Sequence, residues 1–406
     1  MKTILLNLLL ASFIGFTSCK ESEVMEGPAA EQTQKDHLVS AEKLTTIQAA
    51  GLKQLAISSG QAELATMVKY DVDIYKMVYL TQYKGQEVRA SGLMVVPLNV
   101  TTPAPLLSAQ HGTIFAHKDA PSNFQLNSLT GFESFGSAGY LTLVPDYLGF
   151  GEAKQMLHPY YDQKHSAMAV VDMIKAGKSF FKKNNISVSE QLFLAGYSEG
   201  GYVTLAAQKE IEENPAHGLT VTATGAGAGG YDLEGMLRQV VSGQNYNYPG
   251  YLAYILSAYN NTNSWNRPLT DFFQEPYASR VSTMFNGTQT GSAINNALSN
   301  DPSKLFNPTF LANLRGDGEK VLKAALKQNS LKNWVPKSPT RLYHGTSDTT
   351  VPFVNSQETH AAMMANGASF NVTLTPIKDG THSSSLEPMI KDLIPWMESL
   401  KNATAK

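Results

Sequence analysis

One serine in this sequence stands where its hydroxyl could act as a nucleophile. Gly196-Tyr197-Ser198-Glu199-Gly200-Gly201 directly follows the apolar run Leu192-Phe193-Leu194-Ala195 and directly precedes a helical pattern. A G-x-S-x-G between a strand and a helix is a tight turn that strains the serine backbone and exposes its oxygen. The helix starting behind Ser198 also favours negative charge developing there. A serine attacks poorly unless a base takes its proton, and the base needs an acid to orient it. In a strand–turn–helix setting the chain order is serine, acid, histidine. Asp348 follows the run Leu342-Tyr343-His344 and precedes Val351-Pro352, 150 residues after Ser198. His382, in Asp379-Gly380-Thr381-His382-Ser383, comes 34 residues later, one strand–helix unit on. Ser198 as nucleophile, His382 as base and Asp348 as orienting acid are therefore the candidate catalytic residues.

Other residues of the same types compete for these roles. His344 lies within the strand before Asp348, where a packed, hydrogen-bonded histidine is expected, and His360 falls mid-helix, where the default is a solvated or capping role. Asp379 next to Gly380 reads as a turn residue. Asp146 and Asp301 do not follow the strand expected to carry the acid. Acyl transfer would also need N–H donors for a negative oxygen. Gln110-His111-Gly112-Thr113 follows an apolar run, and the backbone N–H groups of Thr113 and of Glu199 are the expected donors. His111 or Gly112 is the alternative source of the loop N–H; otherwise His111 is expected to fix the loop by hydrogen bonds. The Glu199 side chain is expected to make a solvent or loop contact.

Strands and helices must alternate to position these loops. Asp71 to Tyr83 and Val88 to Pro97 read as two strands joined at Lys84-Gly85-Gln86, after a helical pattern from about Ala41 to Met67. Short apolar runs follow at Pro105 to Gln110, Tyr140 to Pro145, Gln191 to Ala195 and Leu219 to Thr224. Helical patterns lie at His165 to Phe181 and Gly200 to Ile211. The alternation stops near Tyr231 and resumes at Thr340, with strands at Arg341 to His344 and Val372 to Ile377, and helices at Val354 to Asn366 and Leu386 to Leu400. This predicts a mainly parallel sheet covered by helices on both faces. The core is expected at 41–230 and 339–406, with 231–338 as an inserted, mostly helical cap containing a helix near Glu319 to Lys327. Aromatics of that insertion (Tyr246, Tyr248, Tyr251, Tyr254, Trp265, Phe272, Phe273) would line an apolar substrate site or, at helical spacing, pack as core.

The chain has 406 residues, 42% hydrophobic and 16% charged, with a formal charge of −2. That composition suits a folded globular protein and excludes collagen and a pure coiled coil. Near-neutrality gives no electrostatic reason for a nucleic-acid partner. One cysteine excludes an internal disulfide and a cysteine-based zinc site, and no metal is expected. That cysteine, Cys19, ends Phe16-Thr17-Ser18-Cys19, after Lys2 and an apolar run over Ile4 to Phe16 that is too short to span a bilayer. Residues 1–18 therefore read as a signal peptide of the bacterial lipoprotein type, with Cys19 lipidated and 19–40 a flexible tether. Ordinary secretion is the alternative. A lipid anchor would be the protein's one attachment to a membrane.

Taken with the Ser198, Asp348, His382 order, the alternation resembles an α/β-hydrolase. Within that superfamily Val144-Pro145-Asp146-Tyr147-Leu148-Gly149-Phe150-Gly151, His158-Pro159-Tyr160-Tyr161, the serine turn and Gly230-Tyr231-Asp232-Leu233 resemble the secretory lipase family. The resemblance implies cleavage of carboxylic esters, small or lipid, beneath a cap and without a cofactor. It leaves the Asp146 loop either lining an acyl pocket through Tyr147 or Phe150, or serving as a structural turn. Two further readings stand beside it. A prolyl-oligopeptidase-like serine peptidase shares the triad order, but the about 50 residues ahead of the core cannot form its propeller. A non-catalytic surface binding protein on the same scaffold would not need all three triad residues.

Overall fold

Three antiparallel strands open the described chain: β1 (Leu38–Ile47), β2 (Val72–Tyr83) and β3 (Gln86–Pro97). They belong to a computed structural model, which describes residues 35–58, 60, 62–126, 131–368 and 371–403. β2 and β3 pair without a break from Val72↔Pro97 to Tyr83↔Gln86. The two-residue turn between them has Lys84 at φ 49° and Gly85 at φ 76°. Positive φ at both positions matches the right-handed twist of the strands, and glycine adopts it without a side-chain penalty.

The sheet continues with β4 (Ala104–Gln110), β5 (Leu141–Pro145), β6 (Val188–Tyr197), β7 (Ala223–Gly227), β8 (Thr340–Gly345) and β9 (Val372–Ile377). Its order is β1-β2-β3-β5-β4-β6-β7-β8-β9, and every pair from β5 to β9 is parallel. Consecutive residues of the central strands feed two apolar cores. Leu106 and Leu194 face one, Leu107 and Phe193 the other, as a period of two requires. Helices α1 (Ala49–Ser58), α2 (Ala62–Met67), α3 (Phe132–Ser137), α4 (Gln163–Lys183) and α5 (Glu199–Glu213) precede β8. α4 covers the first face with Val170, Ile174 and Phe181, and α5 joins it with Val203 and Leu205. Between β7 and β8 run α6 (Leu233–Val241), α7 (Pro249–Thr262), α8 (Tyr277–Met284), α9 (Gly291–Asn296), α10 (Pro302–Leu305), α11 (Pro308–Arg315) and α12 (Lys320–Asn329). α13 (Val354–Ala365) and α14 (Leu386–Ala403) close the chain. α14 covers the second face with Met389, Leu393 and Met397, spaced by four on one side of the helix.

Two expected elements differ. The helix from about Ala41 to Met67 is instead β1 followed by α1 and α2. β1 is an edge strand, mostly exposed, and its register slips between Leu38 and Ser40 and between Lys43 and Thr45. Those slips erase the alternation that marks a strand, while Thr45-Thr46-Ile47 supply the β-branched side chains that favour one. β1 also begins inside the stretch assigned to the tether, and Asp36 pairs with Lys183 at 2.6 Å. The strand expected at Leu219 to Thr224 runs from Ala223 to Gly227, because its parallel register against β6 starts at Phe193↔Ala223. Residues 1–34, and Cys19 with them, lie outside the described residues. No helix of the described residues is long and apolar enough to cross a membrane.

Candidate active site

β6 enters a tight turn at Ser198, which has φ 61° and ψ −127° and directly precedes α5. Such a backbone costs on the order of 1–3 kcal/mol for a residue with a side chain, so the surroundings must hold it. The Ser198 N–H donates to the Gly227 carbonyl at 2.8 Å, and its carbonyl accepts from Gly201 N at 2.9 Å. Gly200 is required by close approach: a Cβ there would sit 2.1 Å from the Gln110 carbonyl oxygen. The turn therefore wedges α5 against the end of β4.

The loops after β8 and β9 bring the other two candidates to this turn. Ser198 Oγ lies 2.9 Å from His382 Nε2, and His382 Nδ1 lies 2.6 Å from Asp348 Oδ2. The Asp348 side chain is fully buried, and its Oδ1 accepts from the N–H groups of Thr350 (2.8 Å) and Val351 (3.0 Å). An acceptor-only carboxylate on one side requires Nδ1 to carry the proton, leaving Nε2 free to take one from the serine. Tyr197 donates its hydroxyl to the His382 carbonyl at 2.7 Å and so anchors the loop of the base. His344 is buried within β8, as expected, but its Nε2 lies 3.3 Å from Asp348 Oδ2 as well as 2.7 Å from the Val351 carbonyl. Ser356 Oγ meets its Nδ1 at 2.6 Å. Burial raises the Asp348 carboxyl, but hydrogen bonds from His344 and His382 outweigh it and bring it down to about 2.

The His111-Gly112 loop lies against the serine, for a Cβ on Gly112 would be 3.4 Å from Ser198 Cβ. His111 holds the loop with a 2.7 Å contact from Nδ1 to the Gly112 carbonyl and a ring stack on Tyr147 at 4.2 Å. Thr113 Oγ1 meets the Tyr160 hydroxyl at 3.0 Å. The Glu199 N–H opens α5 and so has no intrahelical carbonyl to bond. The Asp146 loop is a structural turn. Asp146 accepts from Ser91 Oγ (2.6 Å) and Ser122 N (2.7 Å), and Tyr147 donates to the His111 carbonyl at 2.9 Å. Asp301 caps α10, and Asp379 occupies a turn at φ 56°.

One pair was not legible in the sequence. The Glu199 side chain does not reach solvent. It is buried, and its Oε1 lies 2.6 Å from Nε2 of the equally buried His158, whose Nδ1 lies 2.6 Å from the Leu148 carbonyl. A negative residue directly after the serine, on a helix packed into the core, was the available signal; His158, 41 residues away, stood in the His158-Pro159-Tyr160-Tyr161 motif, but nothing local tied it to Glu199. Of the aromatics in the insertion, Phe272 and Phe273 are core, Trp265 meets Tyr259 edge to face, and Tyr251 borders a cavity. That cavity, of about 70 Å³ and partly open to solvent, is walled by Leu237 and Val240 of α6, Ile255 of α7, Phe310 of α11 and Leu326 of α12. Tyr160 and Tyr161 form its side towards the core.

A parallel sheet with a serine on a strained strand–helix turn, and a histidine and an aspartate on the next strand ends, defines an α/β-hydrolase. The secretory lipase family matches residues 127–399, and the chain belongs to that family of ester hydrolases. A secretory family points to export. Among solved structures the chain is similar to a Legionella pneumophila protein described as a hydrolase, at 26% identity and TM-score 0.83, over 90% of this chain and 98% of that one. It is similar to the rice cell wall degrading esterase LipA of Xanthomonas oryzae at 27% identity and TM-score 0.75, over 89% and 96% of the two chains. Candida antarctica lipase A shares the fold at 17% identity and TM-score 0.66, over 91% of this chain and 83% of that one. No curated protein matches the chain.

Proposed function

We propose that the protein hydrolyses carboxylic esters through an acyl-enzyme on Ser198. The observation that carries this is the unbroken chain of contacts Ser198 Oγ–His382 Nε2–His382 Nδ1–Asp348 Oδ2, at 2.9 and 2.6 Å. Ser198 Oγ attacks the ester carbonyl while His382 Nε2 takes the hydroxyl proton, and Asp348 stabilises the imidazolium. The negative carbonyl oxygen docks on the N–H groups of Thr113 and Glu199. Collapse breaks the bond to the alcohol, which leaves with the proton from His382. Water, deprotonated by His382, then attacks the acyl-serine; the carboxylic acid departs and the proton returns to Ser198. Acyl tails of the substrate enter the apolar cavity among α6, α7, α11 and α12.

A series of p-nitrophenyl esters from acetate to palmitate, with Ser198→Ala alongside, tests this reading. The variant should lose on the order of 10⁶-fold in turnover with KM largely kept. A loss below about tenfold on every ester would end it, and turnover of a prolyl peptide instead would move the protein to the peptidases. Neighbours include an esterase that degrades plant cell wall, so a rate peak at acetate or butyrate would favour a short acyl group on a bulky alcohol.

Export with a lipid on Cys19 belongs to the same proposal, with small-molecule or lipid esters as the partners and no nucleic acid. The support is the Phe16-Thr17-Ser18-Cys19 box after an apolar run. Cys19→Ala should move the protein from the membrane fraction to the soluble exported fraction; retention of the variant in the membrane fraction would remove the anchor.

A further inference from the structure

The His158–Glu199 contact raises a question of protons. His158 Nδ1 faces a backbone carbonyl at 2.6 Å, which only accepts, so Nδ1 carries a hydrogen. Nε2 faces a carboxylate oxygen at 2.6 Å, a contact between two acceptors unless one proton lies between them. With that proton the pair is neutral overall, as imidazolium with carboxylate or as imidazole with carboxylic acid. Without it, a carboxylate stands unneutralised one residue from Ser198. The rings of Tyr147, Phe150, Tyr160 and Tyr254 surround His158 at centroid distances of 5.4–5.9 Å, so little water screens such a charge.

We propose that His158 and Glu199 share one proton as a neutral pair, and that this neutrality keeps a carboxylate charge from opposing the oxyanion that forms beside the Glu199 N–H. The inference rests on the acyl-enzyme reading above. His158 is then a positioning residue that acts through Glu199 and touches no substrate.

The other titratable groups around the pair leave this balance to it. Burial, reinforced by Glu199, holds the Tyr147, Tyr160, Tyr161, Tyr202 and Tyr254 hydroxyls above their ordinary range, so all five stay neutral. Burial holds His111 below the usual histidine value, only partly offset by the Gly112 carbonyl and the Glu199 charge, and holds Asp146 above the usual carboxylate value. On the far side of His158, Lys154 and His117 border a second cavity with it. Across Ser198 stand His382 and Asp348.

The test compares His158→Gln, Glu199→Gln and the double variant with the wild type on p-nitrophenyl butyrate between pH 5 and pH 9. A glutamine at 158 offers Glu199 an amide hydrogen but cannot share a proton with it. At pH 8 His158→Gln should lower kcat about 100-fold with KM changed less than about threefold, the size of one oxyanion donor. The ratio of His158→Gln to wild-type kcat should be higher at pH 5 than at pH 9, because a lone carboxylate is neutralised only by a proton from solvent. The double variant, with no carboxylate left, should recover at least tenfold of the loss. A pH-independent ratio, or a double variant no better than His158→Gln, overturns the inference and leaves a packing contact.

Should His158→Gln fail to fold, His158→Asn takes its place in the same comparison: a kcat ratio to wild type that climbs as pH falls supports the proposal, and a pH-independent ratio overturns it. Ser198→Ala separates the two levels. If that variant stays active, the nucleophile assignment falls; if it is dead while the double variant shows no recovery, only the present inference falls.

Discussion

The strand ends that carry Ser198, Asp348 and His382 and the helices between β7 and β8 are held in different ways. At the strand ends almost every restraint is directional and short in reach. The Ser198 N–H is bonded to Gly227, Asp348 is clasped by the next N–H groups of its own loop, and Gly200 leaves no room for a methyl against β4. The helical insertion has hydrogen bonds of its own, such as Arg267 to Glu319 and Gln274 Nε2 to the Phe306 carbonyl, but it adds broad ring and apolar contacts, such as Tyr254 on Phe285 at 4.4 Å, Phe115 on Tyr251 at 5.8 Å and Phe306 against Phe310 at 5.8 Å. Hydrogen bonds and close approach fail when an atom moves by half an ångström, whereas apolar packing tolerates substitutions that conserve volume. A fold that separates the two can change its substrate through one region without touching the chemistry of the other.

Asp348→Asn is the larger test of that separation, because it keeps the shape of the strand-end region and removes only its charge. An amide cannot hold His382 in the tautomer with Nδ1 protonated, so kcat should fall about 10⁴-fold with KM little changed. A loss under a hundredfold would mean that another group orients the base. The same variant has a stability signature. The native carboxyl titrates near 2, below the roughly 3.9 of an unfolded aspartate, so its ionised form stabilises the native state above about pH 4. That contribution is lost as pH falls from about 4 towards 2. The difference in melting temperature between wild type and Asp348→Asn should therefore shrink over this window. Glu358→Gln is the control: Glu358 lies on α13 and pairs across to the insertion. Its carboxylate meets Arg238 of α6 at 2.5 Å, but both side chains are largely exposed, and such pairs contribute little at any pH. An equal pH dependence in the two variants would erase the distinction.

The same difference decides what could be read from the sequence. The convergence of Ser198, Asp348 and His382 could be anticipated because the turn, the glycines and the strand-end positions are local constraints, each written in a few adjacent residues. β4 to β9 were legible for the same reason, except that β7 was placed four residues early, since its register is set by β6 rather than by its own residues. β1 was misread because an exposed, slipped edge strand has no apolar alternation to show. Of the two readings open for the Asp146 loop, its hydrogen bonds match the structural turn; the Glu199 side chain was given a solvent or loop contact, and only the loop half of that holds. Its partner is fixed by tertiary packing of α5 against the 147–161 segment, which no local pattern encodes. The cavity of the insertion was invisible for a related reason: aromatics at helical spacing are the same whether they pack on each other or border a space.

The smaller test acts on that cavity. Leu237 projects from α6 into it beside Val240 and faces Ile255 and Phe310, and its own side chain is only half-buried. Leu237→Trp would put an indole into space that a long acyl tail would otherwise fill, without disturbing a hydrogen bond. Removing a few methylenes' worth of apolar contact from a bound tail corresponds to a factor of about 10–200 in specificity. The ratio of kcat/KM for palmitate to that for butyrate should therefore fall at least about tenfold in the variant. An unchanged ratio would mean that tails do not enter among α6, α7, α11 and α12. An equal drop on both esters would mean that α6 supports the strand ends themselves. Only a change confined to long esters leaves the two regions independent, because the steps at Ser198 and His382 are the same for both substrates and the tail alone distinguishes them.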